Sequence, residues 1–316
     1  MIIGADGGGT KTNLIAVDAD SGKQLAVSTA GSIHSYSLGM ETAVANMEIG
    51  LKGLGLEPDD RIVAISIGDP ALDDSDPAAG EPLRRQMYAQ GLCPSNAACF
   101  SKSDVFMALY AFSGGAPGAL LVAGTGSMGV ALSRPYCHGG DNPLLTVGGW
   151  GQPTNDPGSG CAIAVGGITA AMNAFDGVAP ATSLCEEALA FYGVASPREL
   201  IDVFNGPYIT RSKIAAFATR VDACAQAGDA VAAAILTEAG EMLGRYGLSM
   251  LRQMEGAERR LGLYGSVLVN NAGVRAILTE TVRKEYPEAS VTVLTRSPEY
   301  GAARFAADAL GIHWEE

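Results

Sequence analysis

The chain opens Met1-Ile-Ile-Gly-Ala5-Asp-Gly-Gly-Gly-Thr10-Lys-Thr-Asn-Leu-Ile15-Ala-Val17, and its architecture turns on how these residues pair. Met1–Ala5 is a short apolar run that reads as a buried strand, and Asn13–Val17 is a second. Asp6-Gly-Gly-Gly-Thr10 between them is a tight turn, since glycine takes backbone angles that a Cβ obstructs. After an Asp20-Ser-Gly22 turn, Gln24–Ser28 reads as a third strand. The opening is thus an antiparallel meander with no helix after its first turn. A P-loop needs Lys directly after its final glycine and a helix beyond it. Here Thr10 separates Gly9 from Lys11 and a strand follows, so the turn is of another kind.

Residues 40–54 are helical in pattern, Arg61–Ile67 is a strand, 80–91 a helix and Ala97–Ser101 a strand. Ser103–Phe112 is a helix capped by Ser103 or Asp104. Then the pattern restarts. Ala119–Ala123 is an apolar strand running into Gly124-Thr-Gly-Ser127, and Gly129–Ser133 returns as a strand. Gly124 to Gly129 matches GxGxxG, but a dinucleotide site needs a helix opening at that turn, and Val130–Ser133 is extended. Helical stretches follow over 159–175, 182–192, 211–227 and 229–254. Arg260–Asn270 reads as a late strand ending in Gly273, with a helix to about 286, a last strand Val291–Leu294 and a last helix Tyr300–Leu310. Two halves that each begin strand, glycine turn, strand imply an internal duplication. The expected division is a lobe of residues 1–113 and a lobe of 114–300, hinged at 113–118, with the segment at about 300–316 packing back on the first.

The composition bounds the partners. With 316 residues, 47% hydrophobic and 17% charged, the chain has material for two cores. A formal net charge of −13 argues against nucleic acid or an anionic membrane as partner. Cys93, Cys99, Cys137, Cys161, Cys185 and Cys224 form no CxxC pair, and His34, His138 and His313 form no metal-ligand pattern. No basic segment precedes the first apolar run and no run approaches the length of a membrane span, so a soluble, cytoplasmic protein is expected.

Taken together, the two glycine turns are a device for gripping a polyphosphate from both sides. Their bare amides can point at phosphate oxygens, and the hydroxyls of Thr10, Thr12, Thr125 and Ser127 add donors. Asp6, just before the first turn, is placed to hold Mg2+, because hard cations prefer oxygen ligands. The fold class this implies is α/β, two-lobed and duplicated.

The order of motifs resembles the actin, hexokinase, sugar kinase and Hsp70 superfamily, a ribonuclease H-like fold with its active site in an interlobe cleft. Within it, the chain resembles the N-acetylglucosamine kinase-like branch of the BadF/BadG/BcrA/BcrD ATPase family. Asp6-Gly-Gly-Gly-Thr-Lys11 resembles the first phosphate motif, which implies ATP-phosphate contacts at Gly8, Gly9, Thr10, Lys11 and Thr12. Gly124-Thr125-Gly126-Ser127 resembles the second phosphate motif, and Gly265-Ser266-Val267 stands where the adenosine motif is expected. Gly148-Gly149-Trp150-Gly151, followed by Asn155-Asp156-Pro157-Gly-Ser159, resembles the family's GGWG…GDEGS segment, and Ser297-Pro-Glu-Tyr-Gly-Ala302 its C-terminal segment.

By that resemblance the chain is an ATP- and Mg2+-dependent kinase of a small amino sugar, and a homodimer is implied. Asp104 aligns with the catalytic carboxylate and would accept the proton of the attacking sugar hydroxyl. His34, Gly149, Trp150, Gly151 and Asp156 would line the sugar with it. Three departures lie near the sugar. Pro157 replaces the family Glu, His34 stands for the substrate-loop Asn, and Gly68-Asp69 replaces a glycine pair. Two other functions share the fold. An activator ATPase of 2-hydroxyacyl-CoA dehydratases would need cluster-ligating cysteines, for which Cys137 and Cys161 are the candidate pair. A non-catalytic sugar or nucleotide sensor would bind without turnover; a repressor is not expected, as no DNA-binding segment precedes Met1.

Overall fold

The computed structural model describes residues 1–57, 59–76, 78–140, 142, 144–151, 156–254 and 258–314. The chain forms two compact units. The first contains Met1–Gly118, Val130–Leu144 and Leu294–Glu316; the second contains Ala119–Gly129 and Leu145–Val293. Val130–Leu144 and Leu294–Tyr300 therefore fall in the first unit, although the sequence places them in the second lobe.

The first unit is built on strands β1 (Ile2–Gly7), β2 (Lys11–Val17), β3 (Gln24–Gly31), β4 (Ala64–Gly68) and β5 (Ala98–Lys102). They lie in the order β3-β2-β1-β4-β5. β1 and β2 are antiparallel, as the glycine turn dictates, whereas β4 runs parallel to β1 and β5 parallel to β4. Register places Asp6 beside Gly68 and Gly68 beside Lys102, so the three parallel strands end level. Carboxyl ends of parallel strands are where α/β sheets present ligand-binding loops. The central strands are covered on both faces, which is why they read as apolar runs. Ile3, Leu14, Ile65 and Ile67 pack with Met47, Leu83 and Met87 on one face. Ile2, Ile15 and Val17 pack with Ala303, Ala306 and Ala307 on the other. Burying each such large side chain contributes about 1.5–3 kcal/mol.

Helix Asp104–Ser113 is seated on helix Pro298–Ala309 by an aromatic cluster. Phe106 and Tyr110 meet Phe305 edge-on with ring centres 5.5 and 5.3 Å apart, and the Tyr110 hydroxyl donates to Asp308 at 2.8 Å. This packing holds the helix that Asp104 begins.

In the second unit the sheet order is β10-β9-β6-β7-β8, with β6 Gly118–Ala123, β7 Ser127–Leu132, β8 Leu144–Gly148, β9 Arg260–Tyr264 and β10 Ser290–Val293. Read from β8, the sequence of strands repeats that of the first sheet position by position, which is the duplication in structural form. β6 and β9 are parallel with Val122 beside Tyr264, so the turns that follow them also end level.

Several elements differ from the sequence expectation. The stretch Arg260–Asn270 is not one strand: β9 stops at Tyr264, Gly265 turns at φ +93°, and Ser266–Asn270 is helical. In that helix only Leu268 is buried, a one-sided burial that a short unbroken apolar run does not reveal. The helix over 211–227 is two helices, Arg211–Ala216 and Ala218–Gln226, meeting at the fully buried Phe217. Strand β8 and helix Leu200–Asn205 have no counterpart in the sequence reading; β8 is a half-buried edge strand without alternation. Among the described residues no helix is long and apolar enough to cross a membrane.

Candidate active site

In the first unit the glycine turn is closed by Gly8 N–H donating to the Lys11 carbonyl at 2.8 Å. The Ser32 hydroxyl donates to the Gly8 carbonyl at 2.7 Å, and His34 N–H donates to Ser32 Oγ at 3.2 Å. One serine thus ties the phosphate turn to the segment bearing His34. Gly9, Thr10 and Lys11 are exposed. Thr12 is fully buried and its hydroxyl is committed to the Gly31 carbonyl at 2.9 Å.

The helix at Asp104 is capped by Ser103, whose Oγ accepts Phe106 N–H at 3.1 Å. Asp104 is therefore spared the cap and stands as the first helical residue, its Oδ1 accepting Val105 N–H at 2.8 Å and its carboxylate otherwise meeting only its own amide among the described residues. Burial pushes its carboxyl up to about 6, against the pull of the Val105 N–H; the charges of Asp69 and Asp74 push the same way as burial. Asp6 is pushed up to about 7, first by burial and then by the neighbouring charges of Asp104 and Glu299, with Lys11 partly offsetting them. Among the described residues no hydrogen bond reaches the Asp6 carboxylate.

A desolvated carboxylate with so little compensating positive charge suits a hard cation, so Asp6 fits Mg2+. No group of three or more Asp, Glu, His or Cys ligands occurs among the described residues. This accords with the habit of Mg2+ to take one or two carboxylates and fill its shell with water and phosphate oxygens.

In the second unit the turn Gly124–Ser127 leans on the start of helix Gly160–Phe175, which Ser159 caps by accepting Ala162 N–H at 3.1 Å. Gly160 N–H donates to the Gly124 carbonyl at 2.7 Å, and Cys161 N–H to the Thr125 carbonyl at 3.3 Å. In a trans peptide the N–H points opposite to the C=O. The amides of Thr125 and Gly126 are thereby directed away from that helix. The Ser127 hydroxyl is committed to the Pro157 carbonyl at 2.7 Å, while Thr125 is exposed.

A cavity of about 280 Å³ joins this turn to the predicted adenosine motif, lined by Gly124 and Thr125 on one side and Ser266 and Val267 on the other. Ile163 and Leu236 supply apolar wall, and Asn271 donates to Asp222 at 2.8 Å on its rim. Gly265 lets the two turns meet: at φ +93° a Cβ there would lie 2.4 Å from the Ala123 carbonyl oxygen.

The loop Gly148–Gly151 carries positive φ at Gly148, Gly149 and Gly151, and Trp150 is 79% exposed. Asn155 lies outside the described residues. Asp156 is buried and is the one non-glycine residue with positive φ (+40°) among those described. Its Oδ1 accepts Gly151 N–H at 2.8 Å and its Oδ2 accepts from Arg211 at 2.5 Å. Gly126 approaches the same carboxylate so closely that a Cβ there would sit 2.7 Å from Oδ2. Asp156 therefore connects the glycine turn to the Gly148–Gly151 loop, with both oxygens engaged inside its own unit.

Sequence reasoning did not single out Arg211, Asp74 or the capping choice at Ser103. The acid-rich run Asp69 to Asp76 was a visible signal for Asp74. For Arg211 no local signal exists, because its partner is 55 residues away.

Two sheets of matching strand order, each opening on a glycine turn with oxygen and amide donors, define a duplicated nucleotide-binding ATPase. The model of the BadF/BadG/BcrA/BcrD ATPase family matches residues 3–306, and the chain belongs to that family. ATP is accordingly its nucleotide. The chain is similar to an N-acetyl-D-glucosamine kinase of Dictyostelium discoideum, at 27% identity over 97% of each chain. It is also similar to an N-acetylmuramic acid/N-acetylglucosamine kinase of Clostridium acetobutylicum, at 26% identity over 96% of this chain and 97% of the relative. A solved structure from Chromobacterium violaceum, described as a candidate N-acetylglucosamine kinase, superposes with a TM-score of 0.73 at 25% identity, covering 97% of this chain and 98% of that one. The two-lobed actin-like fold expected from the motifs is the fold of the chain.

Proposed function

We propose that the chain is an ATP-dependent sugar kinase whose acceptor is an amino sugar of the N-acetylglucosamine class, with Asp104 as the base at the attacking hydroxyl. The observation that carries the proposal is the freedom of Asp104. A good capping residue at a helix start is relieved of capping by Ser103, desolvated, and left with contacts only to the amides of Val105 and itself among the described residues. Such a carboxylate has a proton affinity suited to taking a hydroxyl proton near neutrality.

The backbone turns Gly8–Lys11 and Gly124–Ser127 receive the phosphates, through outward amides and the exposed Thr10, Lys11 and Thr125. Ser127 and Thr12 shape their turns from within. The cavity at Ser266 and Val267 takes the adenosine. Asp6 would hold Mg2+, which would supply charge neutralisation to the phosphates. On the sugar, the buried Nδ1 of His34, which has no hydrogen-bond partner among the described residues, is a polar atom open to one. Gly149 and Gly151 offer backbone, Trp150 an open ring face, and Asp156 fixes their loop. Asp104 accepts the proton as the sugar oxygen attacks the γ-phosphorus.

The acceptor class draws its support from the relatives, whose names specify N-acetylated amino sugars. A cluster-bearing activator is less supported: Cys161 is 1% exposed, and its thiol donates to the Arg211 carbonyl at 3.5 Å. The test is ³¹P NMR of the protein with MgATP and N-acetylglucosamine. A sugar phosphate resonance growing with ADP is expected. ATP persisting with every amino sugar supplied would reject the proposal.

A further inference from the structure

Asp104 owes its freedom to a side chain from another loop. Ser103 N–H donates to Asp74 Oδ1 at 3.0 Å, and the Ser103 hydroxyl makes a short hydrogen bond to Asp74 Oδ2. The same hydroxyl oxygen accepts Phe106 N–H. Ser103 is buried, and the Asp74 side chain is 9% exposed. Lys102 Nζ stands 3.9 Å from Asp74 and 5.6 Å from the centre of the Phe106 ring, compensating the buried charge from the side.

A serine hydroxyl has one hydrogen and can rotate among three staggered positions. Giving that hydrogen to Asp74 leaves the lone pairs of Ser103 facing the helix. Without Asp74 the cap has a competitor one residue on. Asp is as good a capping residue as Ser, so the helix can start one residue later with the Asp104 carboxylate turned onto backbone amides. In that state the carboxylate is occupied.

We propose that Asp74 is a positioning residue for Asp104: by fixing Ser103 as the helix cap through amide and hydroxyl together, it keeps the Asp104 carboxylate directed at the acceptor hydroxyl. The catalytic part of this inference rests on the kinase function proposed above; the clamp itself does not. A cavity of about 330 Å³ borders Asp74 together with Ser101 and Lys102, so shortening the side chain leaves no sealed void and the fold is expected to persist.

The experiment compares full-length wild type, Asp74→Ala, Asp74→Asn and Asp104→Asn by steady-state kinetics and by amide hydrogen exchange. In Asp74→Ala the kcat with MgATP and N-acetylglucosamine should fall about 10- to 100-fold, as a misdirected catalytic group costs. KM for ATP should stay within about twofold. The Phe106 amide should exchange faster, while the amides of Ile3 and Ala5 in β1 keep their protection. Asp74→Asn keeps one acceptor for the Ser103 amide and should lie between. An unchanged Phe106 exchange rate overturns the clamp. Faster exchange with an unchanged kcat overturns the positioning role. If wild type turns over no amino sugar, the kinase function fails, and Phe106 exchange still decides whether Asp74 holds the cap.

Discussion

Arg211 Nη2 lies 2.5 Å from Oδ2 of Asp156, and the other oxygen of that carboxylate takes the amide of Gly151 at 2.8 Å. One ion pair, buried at its Asp156 end, thereby fixes the loop assigned to the sugar against the turn assigned to the phosphates, at the point where Gly126 has no side chain. Asp156→Ala removes both bonds and strands a guanidinium that is about two-thirds buried. A stability loss of about 2–4 kcal/mol is expected, together with a higher KM for ATP and for sugar. Asp156→Asn keeps an acceptor and tolerates positive φ, so its loss should be smaller. Thermal denaturation and steady-state kinetics on the two variants check the order.

The charge state of Asp104 sets an acid limit on turnover. Its carboxyl is raised to about 6, first by burial, so the proton stays on to a higher pH than for an exposed Asp. A base must be ionised to act, hence kcat/KM should fall about tenfold per pH unit below about 6 and level off above it. A pH–rate profile between 4.5 and 8 checks this; rates flat down to pH 4.5 would remove Asp104 as the base.

Gly265 marks the junction of the two nucleotide motifs. Gly265→Ala places a methyl 2.4 Å from the Ala123 carbonyl oxygen, at a backbone angle costing about 1–3 kcal/mol for a side chain. Weaker ATP binding is expected, with a smaller change in sugar KM. Calorimetric titration with an ATP analogue measures it.

How much of this was legible in the residues follows from range. The two glycine hairpins were readable because everything that forms them is local: an apolar run, Gly7 to Gly9 or Gly124 and Gly126, and a second run. The β9 segment misled because Leu263 to Val269 carries apolar residues on both sides of Gly265-Ser266, and the conformation of Gly265 divides strand from helix. Asp104 was legible as a position, whereas its freedom was not, since both Ser103 and Asp104 are adequate caps by sequence. The choice between them is made by Asp74, 29 residues from Ser103. Asp156 was legible as part of a motif, but its engagement with Arg211 across 55 residues was beyond any local pattern.

Asp229 tests the second unit independently of catalysis. It caps helix Ala230–Arg252 by accepting from Val231 and Ala232 amides at 2.9 and 3.0 Å, and it also accepts from the hydroxyls of Thr182 and Ser183. Although partial burial pushes its carboxyl up, the Ala232 amide and these hydroxyls together hold it well below the usual range. A depressed carboxyl stabilises the fold above its unfolded value of about 3.9, and that contribution is lost as pH falls through the folded value. Asp229→Ala should therefore cost about 1–2 kcal/mol near pH 7, with the gap to wild type narrowing below about pH 4. Urea denaturation at pH 7 and pH 3 reads both.

The central measurement is ADP release from MgATP by wild type and Asp104→Asn across amino sugars and plain hexoses, with sugar binding to the variant measured in parallel. Turnover that requires an N-acetylated amino sugar, falls about 100-fold or more in Asp104→Asn, and leaves sugar binding in place is the expected result. Turnover that needs no sugar, or that survives the loss of the Asp104 carboxylate, would contradict it.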